Sequence, residues 1–456
     1  MILRLAAIIA ALLGGGLLLV WPAFLNGYPL VFSDTGAFLH QTAPPPSGPL
    51  VIWDKPHVYG PLIQLFHGRI SLWGPLLAQG LCLSHLIWLM QRALRGDAAP
   101  GWHLAACAGA ALLTTAPFTI ALLMPDVFAP ILLLALLLLG FARESLRRAE
   151  AIWLGLLATA GIATHLSHLP LAFALLVFVL LVARRAGPAL RVAAPLVLAV
   201  LLLLGTNLWG HGRASLSPHG ATFALARLQA DGPAAALIQA RCPEAGWYLC
   251  AFAERLPMDS DAFLWDSDSP VNRTPDGTAR FLGGALLSDE ARVIVAETLS
   301  AYPLEVAWST ARNALRQVVL ATVGDTLVAT HLEAAVRPRI AEAFPARELA
   351  AYDAALQPRG LLPQAAAPFL WPHAPVLLAG AVLALLAWWR GLGDRRRIGL
   401  VVGVLVGVSA NALATGGLSK PHLRYEARIL WLMPVVAGLA LLPRARPEDA
   451  GRADVS

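Results

Sequence analysis

The segment Tyr28-Pro29-Leu30-Val31-Phe32-Ser33-Asp34-Thr35-Gly36 follows directly on the first apolar stretch of the chain. It places one carboxylate, that of Asp34, at a membrane surface. From position alone, the alternative to a functional acid is an ordinary solvated loop residue. Two further segments that border apolar stretches, Trp53–Pro61 and Ser419–Arg428, carry lysine, arginine and histidine. One acid and several basic side chains therefore collect at membrane boundaries, and the rest of the chain can be interpreted as support for Asp34.

The composition indicates the class of protein. Hydrophobic residues make up 57% of the 456 residues and charged residues only 14%, with a mean hydropathy of +0.65, so the chain is far more apolar than a soluble domain. We therefore predict an all-α polytopic membrane protein. The net charge of +6 comes from short basic clusters between apolar runs, as membrane topology requires, and nucleic acid is not an expected partner.

The apolar stretches of helical length predict about ten transmembrane helices. The first has no convincing signal-peptide cleavage site after it and is interpreted as an uncleaved helix. The break around Pro170 fits two antiparallel helices joined at a surface, because proline cannot donate the hydrogen bond of a continuous helix. The predicted spans are roughly 5–24, 72–90, 102–123, 127–142, 151–168, 170–183, 192–209, 375–389, 398–415 and 429–443.

The arginines orient these helices. If ten helices cross the membrane in alternating directions, the arginine clusters all lie on the same side of the membrane. The turns around Asp126 and at 165–169, on the opposite side, hold no lysine or arginine. The positive-inside rule then puts both termini in the cytoplasm, which predicts a multi-pass protein of the bacterial cytoplasmic (inner) membrane with Asp34, Asp126 and segment 420–428 facing the periplasm or exterior. The basic clusters are Arg4, Arg92 with Arg95, Arg143 with Arg147 and Arg148, Arg184 with Arg185 and Arg191, Arg390 with Arg395 to Arg397, and Arg444 with Arg446.

Two long segments outside the predicted spans divide the chain. Residues 25–71 form a large first outer loop, with Pro44 to Pro46 and short helices on the bilayer surface, inside an N-terminal transmembrane module at 1–209. Residues 210–374 form a mainly helical extracytoplasmic domain, either soluble or on the membrane surface. Residues 375–456 contain about three spans and a short cytoplasmic tail.

One amphipathic helix is predicted within the outer domain, from Tyr302 to Leu320. Pro303 suits its first turn, and its apolar residues recur at spacings of three and four. This stripe favours a helix that packs in the core of the domain over one that lies on the membrane surface. The stripe consists of Leu304, Trp308, Ala311, Leu315 and Val318.

The four cysteines are divided between two environments. Cys82 and Cys107 lie in apolar spans and suit inert packing, whereas Cys242 and Cys250 lie close together in the outer domain. An oxidising outer compartment would join the latter pair in a disulfide. Zinc is the poorer alternative, since no nearby Cys or His pair completes four ligands at the usual spacing.

Ionisable groups are concentrated at one rim of the membrane. A transporter or channel usually carries ionisable groups or broken helices at the midplane, and the most polar residues of the spans are His85, Asn207 and Asn411. A rim site suits a reaction between a lipid-borne sugar donor, whose phosphate lies at headgroup depth, and an acceptor from outside. Arginine and lysine can hold the phosphate, and a carboxylate can accept a proton from a hydroxyl or bind a divalent ion.

Several motifs follow the outer ends of the first spans. They are Phe32-Ser33-Asp34-Thr35-Gly36-Ala37-Phe38-Leu39, His57-Val58-Tyr59-Gly60-Pro61-Leu62-Ile63, Ser71-Leu72-Trp73 and Met124-Pro125-Asp126, and a late outer domain accompanies them. With the topology, they resemble the GT-C superfamily of integral-membrane glycosyltransferases, which includes protein O-mannosyltransferases and lipid A aminoarabinose transferases. The resemblance implies a GT-C-like fold, a polyprenyl-phosphate-linked sugar as donor, and Asp34 as catalytic base or metal ligand. No second acid follows Asp34, in contrast to the Asp-Glu pair of the mannosyltransferases.

The residue types and the resemblance together predict an inverting transfer. Asp34 deprotonates the acceptor hydroxyl, which attacks the anomeric carbon while polyprenyl phosphate leaves, and cations stabilise the leaving charge. Interfacial snorkelling or loop packing is the alternative for each of these cations. The first candidates for binding the sugar donor's phosphate are Lys420, His422, Arg424 and Arg428, and the second are Lys55, His57, Tyr59 and Arg69.

Three further residues are auxiliary candidates. Asp126 can assist in substrate or metal binding, or cap the helix that begins at Val127. His165 and His168 can face the same cavity or pack at the interface. Asp34 and Asp126 are the candidate ligands if Mg²⁺ or Mn²⁺ takes part, and no nucleotide cofactor is expected.

Two other classes of function stay open. A polyprenyl-lipid flippase or transporter would hold phosphate with the same cations but would not need Asp34. A non-catalytic subunit of an envelope-glycan assembly system would need neither Asp34 nor Arg424. The expected partners of a transferase are a polyprenyl-phosphate-linked sugar, a lipid, glycan or protein acceptor, and membrane lipids.

Overall fold

The computed structural model describes residues 2–42 and 51–444, and over this part of the chain the protein is helical. Extended pairing among the described residues is limited to isolated bridges. The predicted all-α class is therefore confirmed. Pro44 to Pro46 of the first outer loop and Arg446 of the last arginine cluster lie outside the described residues.

The first half of the chain forms helices that match most of the predicted apolar spans, and short helices also occur in the predicted outer loop. The helices are α1 (Ile2–Leu19), α2 (Trp21–Asn26), α3 (Ser33–His40), α4 (Tyr59–His67), α5 (Trp73–Arg95), α6 (Pro100–Leu113), α7 (Ala116–Ile120), α8 (Phe128–Phe141), α9 (Arg148–Thr164), α10 (His168–Ala183) and α11 (Ala186–His211).

The second half begins with shorter helices and ends with long apolar ones. The helices of the predicted outer domain, called the outer region below, are α12 (Gly220–Ala230), α13 (Pro233–Arg241), α14 (Ser260–Trp265), α15 (Gly283–Ala301), α16 (Pro303–Val319), α17 (Gly324–Leu327), α18 (Leu332–Ala335), α19 (Arg337–Ala343) and α20 (Ala346–Ala354). The last helices are α21 (Leu362–Leu370), α22 (His373–Arg390), α23 (Arg395–Ala412), α24 (Leu423–Leu430) and α25 (Leu432–Leu441), and a π-helical turn, Leu413–Gly417, extends α23.

Five helical stretches among the described residues are long and apolar enough to cross a membrane. Two shorter apolar helices accompany them, Pro125–Phe141 and His168–Ala183. These helices support a membrane protein, while the predicted count of about ten spans stays a prediction. The five stretches are Ile2–Leu19, Trp73–Arg95, Ala186–His211, Leu362–Arg390 and Arg395–Gly417.

The predicted span 102–123 is interrupted in the structure. Helix α6 ends at Leu113, because Thr114 takes up an extended conformation and its Oγ1 donates to the carbonyl of Ala110 at 2.6 Å. Helix α7 then begins at Ala116. Threonine hydroxyls that bond to the backbone compete with helical hydrogen bonds, which accounts for the break.

Helix α8 is the centre of the membrane core, since every residue from Phe128 to Phe141 is buried. Helix α23 crosses it closely, because a Cβ at Gly403 would lie 2.3 Å from Leu137 Cδ2. Small residues at a spacing of four permit such close approach of apolar helices. The contact carries Asn411, at the outer end of α23, towards Asp126, just before α8. The glycines of α23 on this face are Gly399, Gly403 and Gly407.

The outer region has a hydrophobic core of its own, formed by residues between Leu225 and Val306. A disulfide joins Cys242, directly after α13, to Cys250, as predicted. Residues between Ala321 and Ala366 pack against the membrane core instead. The segment that follows the outer core therefore returns to the membrane module and reaches the candidate site.

Helix α16 matches the predicted amphipathic helix, but its apolar face points outward. The exposed members of the stripe include Leu304 at 80%, Trp308 at 70% and Leu315 at 72% exposure. The expectation that this stripe packs in the core of the domain is wrong, because the inward face makes polar contacts with neighbouring segments. The buried residues of the helix are Val306, Ser309, Asn313 and Gln317.

Candidate functional site

Asp34 lies in the first turn of α3, and this helix begins directly after the extended residue Phe32. Thr35 fixes this turn, since its Oγ1 accepts a hydrogen bond from Phe32 N at 2.9 Å and donates one to Leu123 O at 3.0 Å. The amide dipoles at a helix N-terminus stabilise a carboxylate. The Asp34 side chain is 36% exposed, so it is an accessible acid that is held in place by its own helix.

A short parallel pairing brings a second acid towards the first. Leu30 N donates to Ala121 O at 3.1 Å, and Leu123 N donates to Leu30 O at 2.9 Å. This pairing ties the segment before Asp34 to the segment before Asp126. Two predicted site residues that are far apart in the sequence therefore share one region.

Lys55 is the direct partner of Asp34. Its Nζ lies 3.3 Å from Asp34 Oδ1 and also forms an ion pair with Asp54. Burial alone would lower the pKa of Lys55, but the two carboxylates raise it well above its ordinary value. The ammonium also lies 5.8 Å from the ring centroid of Trp265, which is a half-exposed residue of the outer domain. A predicted cation thus holds the predicted acid at the edge of the outer domain.

Arg424 lies in the first turn of α24 and approaches the same place from the C-terminal module. Its guanidinium carbon is 4.2 Å from the ring centroid of Phe32, and Tyr425 is a second aromatic neighbour. The negative charges of Asp126 and Asp34 both act on this guanidinium. Within the described residues, Arg424 Nε is buried without a hydrogen-bond partner, so one donor of this side chain is left unsatisfied by the protein.

Arg428 lies one turn further along α24 and is only 1% exposed. Its Nη1 lies 3.2 Å from Asp126 Oδ1, and its Nη2 donates to Ser167 Oγ at 3.1 Å and to Asn411 Oδ1 at 2.8 Å. Asp126 is thereby engaged in an ion pair and makes no side-chain cap on α8. Arg428 thus joins four segments of the membrane module in one buried network.

The two histidines have different surroundings. His165 Nδ1 is 2.8 Å from Ser167 Oγ, and the charges of Arg428, Asp126 and Arg424 all act on its ring. His168 is fully buried, and its Nδ1 lies 2.7 Å from Gly161 O. His165 therefore belongs to the cluster, whereas His168 joins α9 to α10.

Lys420 and His422 contact the outer domain. Lys420 Nζ lies 2.7 Å from carboxylate oxygens of both Asp259 and Asp261, and His422 Nε2 lies 3.4 Å from Asp261. Despite partial burial, the hydrogen bonds from His422 and Lys420 lower the pKa of Asp261 to about 2. These residues link the segment before α24 to the start of α14.

The remaining candidates from the first outer loop lie in packing contacts. Tyr59 is buried and its hydroxyl donates to Gln79 Oε1 at 3.1 Å. Arg69 Nη2 donates to Thr42 O at 2.6 Å. The ring of His57 lies 5.4 Å from that of Trp209. The contacts described here group Asp34, Lys55, Asp126, His165, Arg424 and Arg428 in one region.

Two residues of this region were not predicted. Asp325 Oδ2 lies 3.7 Å from Arg424 Nη1, and burial raises the pKa of Asp325 although Arg424 opposes the effect. The fully buried Gln357 donates from Nε2 to Val31 O at 2.7 Å and to Thr326 O at 2.8 Å. It ties the Asp325 segment to the Asp34 segment, and no pattern in the sequence distinguishes either residue from its neighbours.

The two candidate metal ligands are each paired with a cation. Lys55 contacts Asp34 and Arg428 contacts Asp126, and over residues 2–42 and 51–444 no group of at least three His, Cys, Asp or Glu side chains is arranged to hold a metal ion. Mg²⁺ takes one or two free carboxylates with substrate phosphate oxygens. Among the described residues, both candidate ligands are thus engaged by cations, and metal binding stays a prediction.

Comparisons with protein-family models, with curated protein sequences and with solved structures each gave no significant match to this chain.

Proposed function

We propose that the protein is an integral-membrane glycosyltransferase, which transfers a sugar from a polyprenyl-phosphate-linked donor to an acceptor at the outer face of the bacterial cytoplasmic membrane. The observation that supports this proposal best is the convergence of Asp34 and Arg424, an accessible acid and a partly unsatisfied cation, on one region. A GT-C-like fold is part of the proposal.

Asp34 is the proposed general base. Lys55 Nζ lies 3.3 Å from Asp34 Oδ1 and holds the carboxylate in place. Its side chain is exposed enough for an acceptor hydroxyl to approach. General-base assistance contributes about 10²–10⁴ in rate, so the loss of this carboxylate should be large and measurable.

Arg424 is the proposed ligand of the leaving phosphate. Phe32 and Tyr425 orient its plane, and a planar guanidinium can make two parallel hydrogen bonds to phosphate oxygens. Arg428 is a weaker candidate than the sequence indicated, because Asp126, Ser167 and Asn411 already occupy its donors. We assign Arg428 to positioning of Asp126 and α24.

The proposed reaction is a single nucleophilic displacement. The acceptor oxygen forms a bond to the anomeric carbon as its proton passes to Asp34, and the bond from that carbon to the phosphate oxygen breaks. The polyprenyl phosphate leaves with the electron pair, next to Arg424. Attack opposite to the leaving group inverts the anomeric configuration.

Asp34→Asn tests the base, and Asp54→Asn is its matched control. Both changes remove a carboxylate from Lys55, but only Asp34 is proposed to accept the proton. We expect Asp34→Asn to lower transfer from a polyprenyl-phosphate sugar by about 10²–10⁴ with the affinity for this lipid retained, and Asp54→Asn to retain most of the activity.

Wild-type turnover by Asp34→Asn would remove Asp34 from the catalytic role. Lipid binding without any sugar transfer by the unaltered protein would favour the lipid flippase or transporter. Equal losses in the two variants would mean that Asp34 acts only by pairing with Lys55. Substitutions of Asp34 and of Arg424 could each leave lipid affinity and envelope-glycan assembly at the wild-type level. That result would favour the non-catalytic subunit.

A further inference from the structure

Helix α16 has an arrangement opposite to that of a helix on the surface of a soluble domain. Ser309, Asn313 and Gln317 face the protein, whereas the large apolar side chains Leu304, Trp308 and Leu315 face away from it. Val319, at its end, is 77% exposed and continues the stripe. Contact of an apolar helix face with water is unfavourable, so an apolar partner is expected to cover this face.

The inward face is fully engaged. Arg227 donates to Ser309 Oγ at 3.1 Å and to Thr310 Oγ1 at 2.6 Å, and Asn313 Nδ2 donates to Asp231 at 3.0 Å. These contacts fix the rotation of the helix about its axis. The outward direction of the apolar stripe is therefore determined by hydrogen bonds.

The position of α16 relative to the membrane follows from its contact with α23. A Cβ at Gly416 would lie 2.4 Å from Gln317 Cβ, and one at Gly417 would lie 3.2 Å from Thr310 O. Both glycines end the stretch Arg395–Gly417, which is long and apolar enough to cross a membrane. Helix α16 thus rests on the outer end of a candidate span, where headgroups meet acyl chains.

We propose that α16 lies in the outer interfacial layer of the bilayer, with its apolar face on the acyl chains of phospholipids. Trp308 is at the centre of that face, and aromatic residues are enriched at this depth. Arg312 and Arg316 lie along one flank, where they can reach lipid phosphates. Leu413 and Leu418, which are also exposed, extend the apolar surface past the end of α23.

Seating α16 at this depth has a consequence for the candidate site. Gln317 Nε2 donates to His422 O at 2.8 Å, and Gln317 Oε1 accepts from His422 N at 2.9 Å. Both bonds hold the residue that directly precedes α24. The helix therefore sets the depth of Arg424 relative to the headgroups. This last consequence rests on the proposed function, whereas the seating of α16 does not.

Spin-label accessibility tests the seating without any assay of activity. With Cys82 and Cys107 replaced by alanine, Leu315→Cys and Trp308→Cys are labelled in turn, and Ser300→Cys on the exposed end of α15 is the aqueous control. The protein is reconstituted into phosphatidylethanolamine and phosphatidylglycerol vesicles. We expect the ratio of oxygen to nickel-chelate collision rates to be higher at 308 and 315 than at 300, because oxygen partitions into lipid and the chelate into water.

Three results would overturn the proposal. Nickel accessibility at 308 and 315 equal to that at 300 would place the face in water. Spin–spin broadening that disappears when labelled protein is diluted with unlabelled protein would show that a second copy covers the face. Low accessibility to both reagents without broadening would show that another protein surface covers it. Agreement between the two labelled positions guards against a local effect of either substitution.

Discussion

At the scale of single residues, Arg424 and Arg428 lie one helical turn apart but have different surroundings, and we assign them different roles. The first is stacked on an aromatic ring and keeps a donor without a partner in the described structure, whereas the second is buried with several partners. A spacing of four places both on one face of α24. The difference comes from what each turn faces, which depends on the packing of α8, α9 and α23.

Arg424→Ala should weaken binding of the polyprenyl-phosphate sugar as well as turnover. A hydrogen bond to a charged group contributes about 1.5–3 kcal/mol, so a loss of roughly tenfold to a hundredfold in affinity is expected. Arg424→Lys should restore only part of it, because lysine keeps the charge but not the planar fork. Lipid binding and sugar transfer are measured in parallel.

Lys420→Ala is the matched control for this prediction. It removes a cation from the same segment, but one that Asp259 and Asp261 already engage. The affinity for the lipid-linked sugar should stay at the wild-type value. Equal losses in the two variants would indicate a diffuse electrostatic attraction in place of a specific contact by Arg424.

Asp126→Asn should destabilise the protein strongly, because it leaves Arg428 buried without its counter-charge. Removal of one partner of a buried ion pair costs about 3–5 kcal/mol. The double variant Asp126→Leu with Arg428→Met should be more stable than the sum of the single changes predicts. Apparent Tm values in detergent compare the unaltered protein, Asp126→Leu, Arg428→Met and the double variant, and simple additivity among these four would contradict the coupling.

The sequence identified most of the acid and basic residues of this cluster, because few ionisable side chains border the apolar stretches. It could not identify Asp325 or Gln357, since each is one polar residue among many in a long outer segment. Nor could it separate Arg424 from Lys420, because their difference depends on contacts with α14. Charged residues next to apolar stretches can be identified from the sequence. The side chain with which each of them pairs depends on how the helices pack.

At the scale of elements, the link between segment 420–422 and the start of α14 connects the two modules. Lys420 and His422 come from the membrane side, and Asp259 and Asp261 come from the outer domain. Asp259 also caps α14 by accepting from Asp261 N at 2.9 Å. The link therefore holds the helix that carries Trp265 beside Lys55.

Lys420→Met should raise hydrogen exchange in α14 by up to about fivefold, as expected for a partly exposed ion pair worth up to about 1 kcal/mol. Arg312→Met, which removes a more exposed outer-domain cation, should leave α14 unchanged. Unaltered exchange in Lys420→Met would show that α14 is held without the link. Mass spectrometry of the exchanged peptides gives the measurement.

Within this link, the ion pair of Lys420 with Asp261 should be insensitive to pH over the physiological range. The pKa of Asp261 is lowered to about 2, so its contribution is present above the unfolded value of about 3.9 and is lost as the pH falls through about 2. The pKa of Lys420 is raised, so its contribution is present below about 10.4 and is lost only at higher pH. His422 also contacts Asp261, so the test uses a His422→Gln background. In that background, exchange in α14 corrected for intrinsic rates should be equal at pH 5 and pH 8.

The helices themselves were largely predictable, because long apolar runs without charge can only be satisfied in a membrane as helices. The turn between α9 and α10 agrees with the break expected near Pro170. Two features were not readable. The break at Thr114 depends on a local hydrogen bond, and the direction of the apolar face of α16 depends on which side receives Arg227 and His422.

At the scale of the whole molecule, topology is the property on which the proposed site depends. The structure shows that Asp126 is only 5% exposed on its side chain, so labelling of a cysteine there would report packing as well as sidedness. Ser300 and Leu392 are both exposed and are better positions. They belong to the predicted outer domain and to a predicted cytoplasmic turn, respectively.

Single cysteines at these two positions, in a protein with Cys82 and Cys107 replaced, should differ in reactivity. An impermeant thiol reagent applied to intact cells should label Ser300→Cys and not Leu392→Cys, because the positive-inside rule places Arg395 to Arg397 in the cytoplasm. Both should react after permeabilisation. Labelling at 392 in intact cells would contradict the orientation and the outward-facing site with it.

The hydrogen bonds of Gln357 to Val31, across 326 residues, and of Arg428 to Asp126, across 302 residues, also bear on how the protein is made. A ribosome releases Asp34 into the membrane long before it synthesises Gln357 or Arg428. A nascent or truncated chain thus carries the proposed base without the arginine that would hold the sugar donor. Under the proposed function, competence for transfer is expected to begin only when the last membrane helices are inserted, so an unfinished chain would not consume lipid-linked sugar.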